Sequence, residues 1–234
     1  MKKFFATLAA ISAALALSLA FAACGDGSAP TPTPEPEPPV AVELTKEQIK
    51  KAFDNTINAE NVTFSLYPVD NTIFVDGANK RMFMNTSEDY TVVAEGDGES
   101  FVIKEYVRPS TPEQPSYAPT NSVTDMCEQI AGKKITSFAE LSAIYISATA
   151  HLDIIKEMEF TYNAEDNCYL AQPEDGAWLK CYFNGSGDNA LLNRFVMGQD
   201  GSDLTTEFRF YDYGTTVAPA PTANHVLVYS SDNQ

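Results

Sequence analysis

The chain has 234 residues, 44% of them hydrophobic, 20% charged and 11% aromatic. That is enough apolar material to fill a core, so a disordered, collagen-like or coiled-coil chain is excluded. Fifteen basic residues stand against 32 acidic ones, a net charge of −17, which repels phosphate backbones and anionic membrane surfaces and argues against nucleic acid as a partner.

Met1-Lys2-Lys3 is a short basic start, and residues 4–23 form an unbroken apolar and small-residue run ending Leu19-Ala20-Phe21-Ala22-Ala23 ahead of Cys24. This is the pattern of a secretory signal. A run of that length also suits a retained membrane helix, but small residues directly before a cysteine fit a peptidase that cuts ahead of Cys24. The stretch resembles a bacterial lipobox, with Phe21 where Leu is commoner. The resemblance implies that residues 1–23 are a lipoprotein signal peptide and that Cys24 is the lipidated first residue of the mature chain. The protein would then stand outside the cytoplasmic membrane, anchored to a bacterial membrane by acyl chains worth about 0.8 kcal/mol per buried methylene. Cleavage removes Lys2 and Lys3 and leaves 13 basic against 32 acidic residues, a mature charge of −19.

Residues 24–43 read as the lipidated cysteine and a tether, with Pro at 30, 32, 34, 36, 38 and 39 favouring an extended spacer of about 3.1 Å per residue. A disordered leader fits the same composition. Residues 44–230 are expected to form a single domain. Thr45-x-x-Gln48 is a capping-box pattern, and Ile49, Ala52, Phe53, Thr56 and Ile57 follow on one helical face. The period then switches to two. Val62-Phe64-Leu66, Ile73-Val75, Met82-Met84, Tyr90-Val92-Ala94 and Phe101-Ile103 are five strand candidates separated by turn residues, an antiparallel meander.

Arg108 to Asn121 carries four prolines and no periodicity, the composition of a long excursion. Ser122-x-x-Asp125 and Ser137-x-x-Glu140 then open two helical patterns, the first stopped at Gly132. Asp153 to Glu157 reads equally as more helix or a new strand. Alternation returns in Met158-Phe160-Tyr162, Cys168-Leu170, Leu179-Cys181-Phe183, Leu191 to Met197 and Leu204 to Phe210. About ten strands against about three helices predict an α+β fold, and the lack of strand–helix alternation excludes a Rossmann domain.

No catalytic constellation stands out, so a non-enzymatic protein is expected, with no cofactor and no metal. His151 and His225 are the only histidines and sit in no metal-ligand spacing. His151, near a helix end, suits a structural role beside the helix dipole. Gly185-Ser186-Gly187 and Asp200-Gly201-Ser202-Asp203 read as turns. If a four-residue loop joins their strands, Cys168 and Cys181 lie directly opposite, close enough for a disulfide in an oxidising compartment; two buried small side chains fit equally well. Cys127, on an apolar helix face, reads as core. Several strands are apolar on both faces, and three helices can cover only one face. Either the sheet curls until its own side chains fill it, or it encloses an apolar pocket. Met82, Met84, Val92, Ile103, Met126, Phe195 and Met197 are the candidate lining of that pocket.

Phe195-Val196-Met197-Gly198-Gln199-Asp200-Gly201, then Thr205 to Val217 with its Asp212-Tyr213-Gly214, and Pro219, are similar to the closing hairpin of the LolA/LolB-like lipoprotein-carrier superfamily. The resemblance implies a strongly curved antiparallel sheet, an incomplete β-barrel with the helices packed on its inner face, and a cavity for acyl chains. No counterpart of the carrier's acyl-handling arginine can be placed. The expected function is therefore a tethered, non-enzymatic lipoprotein binding a lipid or lipopeptide in a sheet/helix cavity, with an envelope protein-interaction or sensing module built on a solid core as the alternative.

Overall fold

The computed structural model describes residues 43–69, 71–85, 89–96, 98–109, 122–174 and 176–233. The signal, Cys24, most of the tether and nearly all of the proline-rich excursion lie outside them. Leu44–Gln234 forms one compact unit.

Helix α1 (Lys46–Ile57) begins where expected: the Thr45 hydroxyl accepts from the Gln48 N–H while the Gln48 side chain accepts from the Thr45 N–H. Such a cap is worth about 1 kcal/mol. The five residues at helical spacing, Ile49, Ala52, Phe53, Thr56 and Ile57, are its buried face. The first meander is β1 (Asn61–Tyr67), β2 (Asn71–Asp76), β3 (Arg81–Asn85), β4 (Asp89–Glu95) and β5 (Val102–Arg108). Next come α2 (Val123–Ala131), α3 (Phe138–Ala150) and the single turn α4 (Leu152–Ile155), which resolves the ambiguity at Asp153 in favour of helix. Ser122 and Ser137 cap α2 and α3 through the Asp125 and Glu140 N–H groups, and Gly132 ends α2 at φ +66°, a conformation that costs glycine nothing. The second meander is β6 (Thr161–Asn163), β7 (Cys168–Ala171), β8 (Ala177–Asn184), β9 (Leu191–Gln199) and β10 (Thr205–Tyr211). An eleventh strand, β11 (Val226–Ser230), is one more than the sequence pattern predicts.

All eleven strands form one sheet in the order β11-β5-β4-β3-β2-β1-β10-β9-β8-β7-β6, and every neighbouring pair is antiparallel. The sheet is not closed, since β11 and β6 remain at its two edges. Alternation sorts its side chains. Val62, Phe64, Ile73, Val75, Met82, Val92, Ile103, Val107, Phe195, Phe208 and Phe210 turn to one face and join Ala52 and Phe53 of α1 and Leu141 and Ile146 of α3 in one core. Phe195 stacks on Phe208 at 4.7 Å between ring centres, and Phe64 stacks on Phe210 at 5.6 Å. Arg209 and Glu207 occupy the far face, Arg209 exposed and Glu207 largely covered.

The far face of the first meander is crossed by the chain itself at β1 and β2. Residues 212–225 leave β10 beside β1 and end at β11 beside β5. On the way the Thr216 carbonyl accepts from Asn61 at 2.8 Å, its hydroxyl meets Thr63 at 2.9 Å, and the Ala218 N–H donates to Asp76 at 3.0 Å. Asn61, Thr63 and Asp76 alternate with core residues and so face away from the core. Asp76 ends β2, whereas β11 starts opposite Val107 at the other end of the strands. At about 4.8 Å per strand and 3.3 Å per residue, eight residues suffice for that diagonal. Thr91, on the same far face in β4, is fully buried.

Candidate functional site

Six of the seven candidate pocket residues point to the core face of the sheet, and Met126 packs against the same core from α2. Met82, Val92 and Phe195 are 0% exposed, Ile103 is 1% and Met84 7% exposed, while Met126 and Met197 are partly buried. A side chain at 0% exposure borders no space a water molecule can enter. At Met82, Val92 and Phe195 the expected lining is thus close-packed, with Met82 directly opposite Val92, and the Tyr145 hydroxyl lies on the Met84 sulfur at 3.0 Å.

Beside these apolar side chains lies a buried carboxyl group the pocket hypothesis missed. Glu105 of β5, 0% exposed, accepts from the Tyr90 hydroxyl, the Val123 and Thr124 N–H groups at 3.1 and 2.9 Å, and the Thr124 hydroxyl at 2.6 Å. Two of those donors are open N–H groups of the first turn of α2, where an acidic group is favoured. Glu105 therefore ties α2 to the sheet, and four donors fully occupy it. The strand pattern stops at Ile103 because a glutamate breaks the apolar alternation. Cys127 lies in the same region, its thiol pushed up to about 12 by burial and then by the Glu105 charge, which leaves it unreactive.

The cysteine pair is corrected by one residue of register. Tyr169 faces Cys181 and Leu170 faces Lys180, so Cys168 and Cys181 fall on opposite faces of the sheet, and both are free and buried. Cys181 belongs to the core, where burial raises its pKa well above the usual thiol value, with the Cys168 charge adding to it. Cys168 lies on the far face near Lys180 and Tyr182, and burial again raises its thiol. The slip arises in the loop: the observed register leaves five residues, 173–177, between facing positions where the count assumes four. His151 occupies the left-handed C-cap of α3 at φ 54°. Burial lowers its pKa, which works against the cation that the helix dipole would favour there.

The remaining concentration of chemistry is on the far face of the second meander, away from residues 212–225. Leu170, Lys180, Val196, Glu207 and Tyr67 form one cross-strand row over β7, β8, β9, β10 and β1, while Tyr182, Arg194, Arg209 and Ser65 form the next. The Arg194 guanidinium lies 4.1 Å from the centre of the Tyr182 ring, within cation–π range. Glu207 accepts from Arg209 Nε at 2.8 Å and from Arg194 at 3.3 Å. The Arg209 bond does most to lower its pKa; burial opposes this and Arg194 adds to it. Trp178 pairs with Gly198. A Cβ at Gly198 would meet the indole Cζ2 at 2.4 Å, with Cε2 and Cη2 at 2.8 and 3.0 Å, the near-equal spacing of an approach to the ring's face. One face of the indole therefore rests on the glycine backbone, and only glycine permits it. Alternation along Trp178, Lys180 and Tyr182 was enough to place these three residues on one face, but a search for catalytic motifs passes over them.

A cleft of about 270 Å³ also opens between Glu60, Gly77, Lys80, Ser137, Phe138 and Ser142. It lies at the turn end of β2–β3 and is lined by polar and apolar groups together, unlike the apolar cavity expected. Among the described residues no helix is long and apolar enough to cross a membrane. No protein-family model matches the chain, and no curated protein matches it in sequence.

Proposed function

We propose that the chain is a non-enzymatic, lipid-tethered envelope protein that works as an interaction module on a solid core, presenting its binding surface on the exterior of the sheet. The observation that carries this reading is the filled core face: Met82, Val92 and Phe195 leave no space beside them, so an acyl chain would have to displace close-packed side chains at a cost of several kcal/mol. Cleavage and lipidation at Cys24 supply the anchor, residues 24–43 hold the domain away from the bilayer, and the LolA/LolB-like resemblance suggests a sheet curved round its helices. Curvature also fits one core that takes in Tyr162 of the β6 edge and Val228 of the β11 edge. Eleven flat strands would spread over about 48 Å, more than three short helices span. The test is capture from solubilised host membranes by the tagged full-length protein. Arg194→Glu on the far face is expected to abolish capture of the partner while Met82→Leu in the core leaves it intact; the reverse pattern defeats the reading.

The lipid-binding reading has one observation in its favour, the two partly buried methionines Met126 and Met197, flexible side chains that suit an adaptable apolar opening. It requires a lipid or lipopeptide to copurify with the protein and Met197→Trp to expel it.

A further inference from the structure

We infer that the far face of strands β7 to β10 and β1 is a binding platform for an anionic polysaccharide, a proposal that rests on the reading of the domain as an exterior interaction module. Three features of the face lead there. First, it is basic where the chain is acidic. Lys180, Arg194 and Arg209 stand together in a protein of net charge −17, and the acids among them, Glu207 and Asp166, are fewer than the cations. Glu207 is also withdrawn, with only 12% of its side chain exposed, beneath Arg194 and Arg209 at 39% and 55%. Lys180 is paired with Asp166 at 2.5 Å, the two similarly exposed at 32% and 39%, so the cationic part of the face is the Arg194–Arg209 pair, to which an anion would be drawn against the repulsion of the rest of the molecule.

Second, the aromatic rings of the platform lie on the sheet. Trp178, half-buried, rests one face on Gly198, and Tyr67 is 54% exposed in the neighbouring row. Sugar rings present flat C–H faces that stack on such rings. Third, cations and rings interleave. Lys180 lies between Trp178 and Tyr182 along β8, its ammonium 5.7 Å from the indole centre, and Arg194 covers Tyr182. A chain of charged sugars running along or across the strands meets ring and cation in turn. Guanidinium groups suit carboxylate or phosphate substituents through paired hydrogen bonds, and either substituent serves the same site.

Trp178 is the only tryptophan, so its emission reports the platform directly. Full-length protein in detergent micelles is titrated with hexagalacturonic acid, with neutral cellohexaose and with hexaglutamate, which carries the charge without the rings. The expected result is a saturable change in Trp178 emission with hexagalacturonic acid alone. Arg194→Gln with Arg209→Gln should weaken it at least about tenfold, and Tyr182→Ala should do likewise. Lys180→Gln replaces the double variant if that one does not fold. The inference is overturned if hexagalacturonic acid gives no saturable change, if hexaglutamate matches it, or if all these variants bind as the parent does. If the sugar fails while Arg194→Glu still abolishes partner capture, the polysaccharide falls and the interaction module stands; if capture also survives that substitution, both fall.

Discussion

Val92→Phe is the substitution that separates a filled sheet from a hollow one. Val92 lies in the middle of β4, 0% exposed, opposite Met82 on β3 and Glu105 on β5, themselves fully buried. A phenyl ring there has no space to enter. It must push Met82 out of its rotamer or disturb the four hydrogen bonds by which Glu105 holds α2. Overpacking of this kind costs about 1–3 kcal/mol, and a strained Glu105 adds part of the 1–3 kcal/mol of a poorly satisfied buried polar group. For a domain of this size, each kcal/mol lowers the melting temperature by about 2–4 °C, so overpacking alone is expected to lower it by about 2–12 °C. Thermal unfolding followed by Trp178 fluorescence and by far-ultraviolet circular dichroism measures the change. A Val92→Phe protein as stable as the parent, or more so, would refute the packed-core reasoning, because a lipid-sized cavity would accept the ring.

Asp76 anchors residues 212–225: burial works to raise its pKa, but bonds from the Asn79 side chain, the Asn79 N–H and the Ala218 N–H prevail and hold it below the ordinary carboxylate range. A lowered native pKa stabilises the fold above the unfolded value near 3.9 and loses that contribution as pH falls through the native value. Asp76→Asn is therefore expected to flatten the acid limb of the stability curve and to speed hydrogen exchange at the Ala218 amide; a curve parallel to the parent's down to low pH contradicts this. Cys168 and Cys181 should remain thiols after purification without reductant, so intact mass should not change on reduction, and neither should react with a thiol reagent until the protein unfolds; a reducible intramolecular bridge would contradict the opposite-face placement. Cys24→Ala should abolish metabolic labelling by a fatty-acid analogue and release the protein from membranes, whereas a mature chain that retains Met1 would refute the lipoprotein reading.

Much of the fold was legible because local patterns agreed with one another. The buried face of α1 follows from spacing alone, the caps at Thr45, Ser122 and Ser137 from side-chain chemistry, and the alternation in both meanders from a sheet with one face on the core. What escaped depended on contacts distant in sequence. Strand β11 is short, with Val226 and Leu227 each nearly half exposed, and it exists because β5 offers an edge more than a hundred residues away. The path of residues 212–225 left no periodic trace, so its contacts with Asn61, Thr63 and Asp76 on the far face of β1 and β2 could not be foreseen. Register across the β7–β8 hairpin turned on one residue of loop length, and that single-residue slip carried Cys168 to the other face. The far-face platform was readable strand by strand, but only the pairing of Arg194 with Tyr182 and Arg209 shows that its members are neighbours.

Native mass spectrometry of the full-length protein, gently extracted from its own membranes, tests the central claim most directly. A solid core predicts the mass of the lipidated chain with no non-covalent apolar companion, unchanged by Met82→Leu or Met197→Trp. A lipid or lipopeptide that stays bound through desolvation and is lost in Met197→Trp would contradict it.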